Sequence, residues 1–255
     1  MKPTTKKLVN NLIQIVVLIA VAILLWYVTA LIFDSELIVP EPWTVVKLTF
    51  SLLGEGATYL ALLSTLLRAI CAFLISVCVA ILASLLVNLY PKCGFSVDCI
   101  VTFLRALPTI AIILVTLVVF SSSNVAIVVA FLVAFPVTYS VLQRAFQHNS
   151  FLLDVCKVYE VKTTQKIKFM FLPVVRDELL TIVRDELPLC IKVVIAGEVL
   201  ALPLSGIGRQ MYIGKVNLDT AKVVALTLLT LVICFAISGV VSLCQARFGD
   251  RGARS

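Results

Sequence analysis

The sequence predicts an all-α integral membrane protein with six transmembrane helices. Three observations carry this. First, 61% of the 255 residues are hydrophobic and 14% charged, with a mean hydropathy of +1.12, far from the balance of a soluble domain. Second, several uncharged runs reach the roughly 20 residues needed to cross the hydrocarbon core. Third, Lys and Arg gather in alternate connections between those runs, as expected when basic residues stay on the cytoplasmic side.

The runs follow in order. Leu12 to Phe33 is the first and Ala69 to Leu89 the second, with Arg68 at its edge. Ala106 to Gln143 is uncharged over 38 residues, too long for one crossing, and Ser121, Ser122, Ser123 and Asn124 interrupt it; two helices joined by a tight polar turn are expected. A fifth crossing is placed around Leu187 to Pro203, with Lys192 and Glu198 inside it, and Val223 to Ala246 is the sixth. Between the first two, Pro40 and Pro42 predict an extended entry, then a helix from about Trp43. Pro108 falls near the start of the third helix, as a first-turn proline or a kink.

Lys2, Lys6, Lys7, Lys92, Arg105, Arg144, Lys157, Lys162, Lys166, Lys168, Arg176, Arg247, Arg251 and Arg254 fall on one side, against Lys47, Arg209, Lys215 and Lys222 on the other. Both termini are therefore expected in the cytoplasm. The same bias accounts for the net charge of +7 and makes a nucleic-acid partner unnecessary. The first run exceeds the apolar region of a signal peptide, which favours a retained helix. Without a low-complexity linker, residues 1–255 read as one transmembrane domain.

Catalytic and metal chemistry find little support. Cys71, Cys78, Cys190 and Cys234 lie in apolar spans and no C-x-x-C pair occurs, so the cysteines read as small buried hydrophobes and neither a zinc site nor a disulfide framework is expected. His148 is the single histidine; no H-E-x-x-H or G-x-S-x-G occurs, and the chain does not read as an enzyme. GIGRQMYIGKV superficially matches a phosphate loop. Gly208 and Gly214, however, enclose five residues where four are needed, and Val216 stands where Ser or Thr would bind magnesium.

Two segments attract attention. Between residues 145 and 176, Phe151, Leu152, Val155, Val158 and Tyr159 recur at helical spacing, and Ile167, Met170 and Phe171 follow the polar KTTQK, predicting two short amphipathic helices in a cytoplasmic loop. They lie on the membrane surface or in the groove of a soluble partner. Next, LPVVRDELLTIVRDEL repeats one tetrapeptide. None of Arg176, Asp177, Glu178, Arg184, Asp185 or Glu186 has an opposite charge three or four residues away, so partners outside the segment are expected. Stripes formed by Asp177 and Arg184, and by Glu178, Asp185 and Lys192, are expected to face water or a neighbouring subunit, since lipid is hostile to charge.

Residue by residue, the chain resembles the membrane permease subunits of binding-protein-dependent ABC importers, in particular the nitrate, sulfonate and taurine branch. The loop signature of that family is Glu-Ala-Ala, three residues, Gly, nine residues, Ile-x-Leu-Pro. Here Asp154-Val155-Cys156 stands first, Glu160 occupies the glycine position, and Met170-x-Leu172-Pro173 closes it at the matching distance. LIVPEP, STLLRAICAF and LRALPTIA resemble further elements of the branch. Arg184, Ala196, Glu198 and Ser205-Gly206-Ile207-Gly208 fall where it has Arg, Ala-Glu and Ser-Gly-Leu-Gly.

The resemblance implies the type I importer permease fold and a place in a bacterial inner membrane. It implies a pathway formed with a second permease copy or paralogue, solute delivered by an extracytoplasmic binding protein, and ATP bound by a separate cytoplasmic ATPase dimer, with no cofactor on this chain. It assigns ATPase coupling to Asp154, Val155, Cys156, Lys157, Val158, Tyr159, Glu160, Met170, Leu172 and Pro173. Because Glu160 lacks the freedom of glycine at φ > 0, the bend there is expected to be reshaped or lost. Arg184, Asp185, Lys192 and Glu198 are assigned to the translocation pathway or to pairing inside the membrane. The solute class spans nitrate, sulfonates, taurine and vitamin precursors. A secondary transporter or channel with intramembrane coupling charges is the alternative.

Overall fold

The apolar runs become long helices, with breaks at Pro40, at Pro108 and at the polar turn near Ser121, while Pro136 and Pro188 lie inside helices. The computed structural model describes the backbone of residues 3–148, 151, 155, 156 and 158–252, and side chains for 13–148, 151, 155, 156 and 158–245. Helices α1 (Pro3–Phe33), α2 (Pro42–Leu52), α3 (Gly56–Leu89), α4 (Gly94–Ala106), α5 (Thr109–Val119), α6 (Ser122–His148), α7 (Leu172–Ala201), α8 (Ile207–Val216) and α9 (Thr220–Gly252) follow one another, with no strand among the described residues. Parts of α1, α3, α6 and α9 are long and apolar enough to cross a membrane, and the bent pair of α4 and α5 makes a fifth candidate. The chain is an all-α, multi-pass membrane protein.

The third crossing differs from expectation. α5 has 11 residues, about 16 Å at 1.5 Å per residue, which is half a bilayer core. It meets the preceding helical segment at 99°. The reason is local: Pro108 drives Leu107 out of the helical region, and both sit in extended conformation, at ψ 129° and ψ 130°. The kinked reading of Pro108 therefore holds. The polar turn falls as expected, with Phe120 extended and α6 starting at Ser122.

The chain forms two compact units. One comprises residues 1–58 and 211–230. In it, Trp26 Nε1 donates to Pro40 O at 3.1 Å, tying α1 to the chain that leads into α2, and Thr220 Oγ1 donates to Leu37 O. The Lys47 ammonium lies over the Trp43 ring. Only 6% of the apolar α1 stretch is buried, so lipid or another chain must cover the rest.

The other unit comprises residues 59–210 and 231–255. Its centre is α6 against α7, running antiparallel. At one end the Phe146 and Phe171 rings lie 5.0 Å apart; at the other, a Cβ on Gly197 would stand 3.0 Å from Ala126 Cα, so glycine is what lets the backbones approach. Val125, Ala126, Val129 and Ala130 of α6 and Cys190, Ile191 and Val194 of α7 are buried there. A polar chain joins α4, α6 and α3: Tyr139 OH donates to Asp98 Oδ1 (2.8 Å), Gln143 Nε2 to Tyr139 OH (3.2 Å), and Asn88 Nδ2 to Gln143 Oε1 (3.2 Å).

Two smaller expectations change. Cys190 and Cys234 are buried, but Cys71 and Cys78 lie on the exposed side of α3. The second short loop helix is not separate. Its turn Thr163–Lys166 passes through a wide π-helical turn, Ile167–Phe171, directly into α7. Pro173 offers no N–H to the Phe169 carbonyl, and the wide turn just before it takes up that mismatch without breaking the helix.

Candidate functional site

Glu198 sits one turn before the end of α7 and is wholly buried. A lone buried carboxylate is untenable, so its partners are the question. Arg68, on α3, donates through one guanidinium nitrogen to Glu198 Oε1 at 2.6 Å and to Ser205 O at 2.8 Å. The Thr65 hydroxyl, one turn earlier on the same face, lies 3.0 and 2.9 Å from the two carboxylate oxygens and accepts the Ile207 N–H at 2.9 Å. The Gly208 N–H donates to Glu198 Oε2 at 3.0 Å, and Ser64 Oγ lies 3.3 Å from Ser205 Oγ. Apart from the Ser64–Ser205 hydroxyl contact, these bonds are charge-assisted or satisfy a buried backbone group, as a desolvated ion pair requires.

The backbone around Glu198 is shaped to close on it. Leu202 ends α7 in the left-handed region at φ 49°, with its N–H on Glu198 O; this turns the chain back toward the carboxylate. A side chain at 206 would collide with the Glu198 carboxylate. One at 208 would meet the carbonyl of Ile195, Glu198 Cβ and the amide of Val199, so the first turn of α8 approaches α7 only through glycine. Arg209 then donates to Pro203 O (2.9 Å) and Leu204 O (2.6 Å), holding the intervening segment. These glycines serve packing around an ion pair, which gives the GIGRQMYIGKV stretch a structural purpose.

No model of a known protein family matches the chain, and no curated protein matches it.

The remaining charges of α7 are arranged differently from expectation. Arg184 pairs with its immediate neighbour Asp185, Nε to Oδ1 at 2.7 Å and Nη2 to Oδ2 at 3.0 Å. The adjacent spacing, not three or four residues, supplies this partner, because the long guanidinium folds back over the short aspartate. Arg184 also donates to Gln245 Oε1 (3.2 Å), and Gln245 Nε2 to Thr181 Oγ1 (3.1 Å). Pro188, inside α7, has no N–H for the Arg184 carbonyl, and Ser238 Oγ donates to it instead at 3.2 Å. Ser238 and Gln245, seven residues apart, thus place one face of α9 against α7. Lys192 is exposed and forms no ion pair among the described residues. Along the same helix Asp177 and Asp185 are exposed and Glu178 and Arg184 partly so.

In the coupling segment, Asp154 and Lys157 lie outside the described residues. Val155 and Cys156 are half-buried, whereas Val158 and Tyr159 stand 78% and 76% exposed. Glu160 adopts φ +48°, and the Val161 N–H returns to Cys156 O at 3.0 Å. The bend, expected to be reshaped or lost, is present: glutamate takes the left-handed conformation at the position where the resembled signature has glycine, at about 1–2 kcal/mol. Met170 is buried and Leu172 exposed, so Met170 belongs to this chain's interior. Pro173 is the second residue of α7.

The sequence reading placed Arg68 only at the edge of a span and left Glu198 without a named partner. The usable signal was charge parity: one Arg in one apolar helix and one Glu in another, each needing neutralisation. Chemically, the cluster holds no activated nucleophile or free base, and no group of three His, Cys, Asp or Glu among the described residues is placed to hold a metal. It fixes the 202–208 turn to α3 and α7.

Proposed function

We propose that this chain is the permease subunit of a binding-protein-dependent ABC importer of the nitrate, sulfonate and taurine type, working with a second permease and a separate ATPase. The observation that carries the reading is Glu160. A left-handed bend at the signature's glycine position, kept in spite of an unfavourable residue, implies that the bend itself is required. Beside it, Val158 and Tyr159 leave large apolar surface outside the chain's interior, which suits a groove on a soluble subunit. Six crossings follow when the bent α4 and α5 pair and α7 each cross the bilayer. Lys192 then has to face the pathway or the second permease, because lipid gives its ammonium no partner.

The test is purification of the tagged full chain from its native membranes. An ABC ATPase subunit is expected to copurify, Tyr159→Ala to lower its recovery about tenfold, the equivalent of about 1.4 kcal/mol, and solute uptake to require ATP. Uptake that persists without ATP, or a chain that purifies with no ATPase, overturns the proposal in favour of a secondary carrier.

A further inference from the structure

α7 carries one more carboxyl, Glu186. It is 3% exposed, and its Oε2 has no hydrogen-bond partner. It precedes Gly197 by eleven residues, close to three turns, so both lie on one face of α7, the face that Gly197 presses on Ala126. Measured from that crossing at 1.5 Å per residue, Pro136 on α6 lies about 15 Å away, and Pro188 and Glu186 about 13 and 16 Å away. Both helices therefore carry an internal proline near the level of the buried acid.

A proline in mid-helix frees the carbonyl four residues earlier: Leu132 O on α6 and Arg184 O on α7, the latter taken by Ser238. That leaves the Leu132 carbonyl as a freed acceptor, a group of no use to an ionised carboxylate but of use to a protonated one. Compensating charge is scarce. On its own helix, Asp185 is bound to Arg184. Arg105 of α4 acts on Glu186 electrostatically, but no ion pair between them is among those formed by the described residues. α5, the stretch of α6 from Ser122 to Gln143 and the stretch of α9 from Val223 to Ala246 contain no Asp, Glu, Lys or Arg. Cys190, one turn on along the same helix, is a further titratable neighbour.

We infer that Glu186 is a proton-binding site: its carboxyl is held as the neutral acid inside the packed α6 and α7 pair, and losing the proton is coupled to parting of the helices where Pro136 and Pro188 interrupt them. The linkage has a definite sign. The packed state keeps a proton that the hydrated state releases, so it is stabilised at low pH and weakened as pH rises.

The experiment uses the full chain in lipid bilayers and needs neither ATPase nor solute, so it stands apart from the importer reading. The infrared difference spectrum of wild type minus Glu186→Gln at pH 7 is expected to contain a protonated-carboxyl band. The melting temperature of wild type is expected to fall between pH 6 and pH 9 relative to Glu186→Gln, which mimics the neutral acid. Carboxylate bands from Glu186 at pH 7, or parallel melting profiles, overturn the inference. If Glu186→Gln does not fold, the wild type alone decides. Dicyclohexylcarbodiimide, which attacks protonated carboxyls from the apolar phase, is expected to modify Glu186 several-fold faster at pH 6 than at pH 9, and equal rates overturn it.

Discussion

Replacing Arg68 by methionine keeps much of the aliphatic bulk and removes the partner of a wholly buried carboxylate. Breaking a buried pair from one side costs about 3–5 kcal/mol, because the other charge stays behind. Here Glu198 retains the Thr65 hydroxyl and the Gly208 N–H, which places the loss near the lower end, about 3 kcal/mol. For a chain of this size each kcal/mol moves the melting point by about 2–4 °C, so a fall of about 6–12 °C is expected. The molecule supplies its own reporter: Cys190 and Cys234 are buried, and a thiol-reactive fluorophore reaches them only on unfolding, above a constant signal from exposed Cys71, Cys78 and Cys99. Converting Glu198 to Gln in the same chain removes the stranded charge and is expected to recover about 2 kcal/mol, a coupling typical of contacting residues. Arg68→Met melting within about 2 °C of wild type, or a double variant no better than the additive sum, would refute the claim that the pair holds the 202–208 turn.

Further outcomes follow from the same geometry. Gly208→Ala drives a methyl into the Ile195 carbonyl and Val199 amide, backbone atoms that cannot rotate away, and is expected to cost 3 kcal/mol or slightly more, about the upper end for overpacking, read as lost thermal stability. Gly197→Ala meets Ala126 at 3.0 Å and is expected to cost about 1–3 kcal/mol, with crosslinking between cysteines placed on α6 and α7 reporting the wider spacing. Glu160→Gly relieves the left-handed strain and is expected to stabilise the loop by about 0.5–1 kcal/mol after the added freedom of the unfolded chain is counted; slower proteolytic nicking between residues 155 and 163 is the measurement, and faster nicking contradicts it. Ser238→Ala leaves the Arg184 carbonyl unpartnered and is expected to cost about 1 kcal/mol, visible in the same thiol assay.

Much of the helical layout was legible because it follows from local rules. An uncharged run of about 20 residues has few alternatives to a membrane helix, since it must satisfy its own backbone out of water. The serines at 121–123 and the prolines at 40, 42 and 108 act through neighbouring atoms, so they mark breaks wherever they stand. Even so, sequence pattern left open whether Pro108 opens a straight helix or bends one, and the extended backbone of Leu107 and Pro108 decides for the bend.

The charged residues lay beyond that reach. Arg68 and Glu198 stand 130 positions apart, and only the packing of α3 on α7 makes them partners. Arg184, with no opposite charge three or four residues away, was expected to find its partner outside the segment, yet its long side chain folds onto the adjacent Asp185. The alternation of apolar and polar segments by itself determined that this chain lives in a membrane as a bundle of helices, because burying backbone and side chains in hydrocarbon is a local demand. Which charges neutralise one another, which glycines are indispensable and which carboxyl is left without a partner were decided by tertiary structure alone, because those are properties of distances between segments that the sequence does not order.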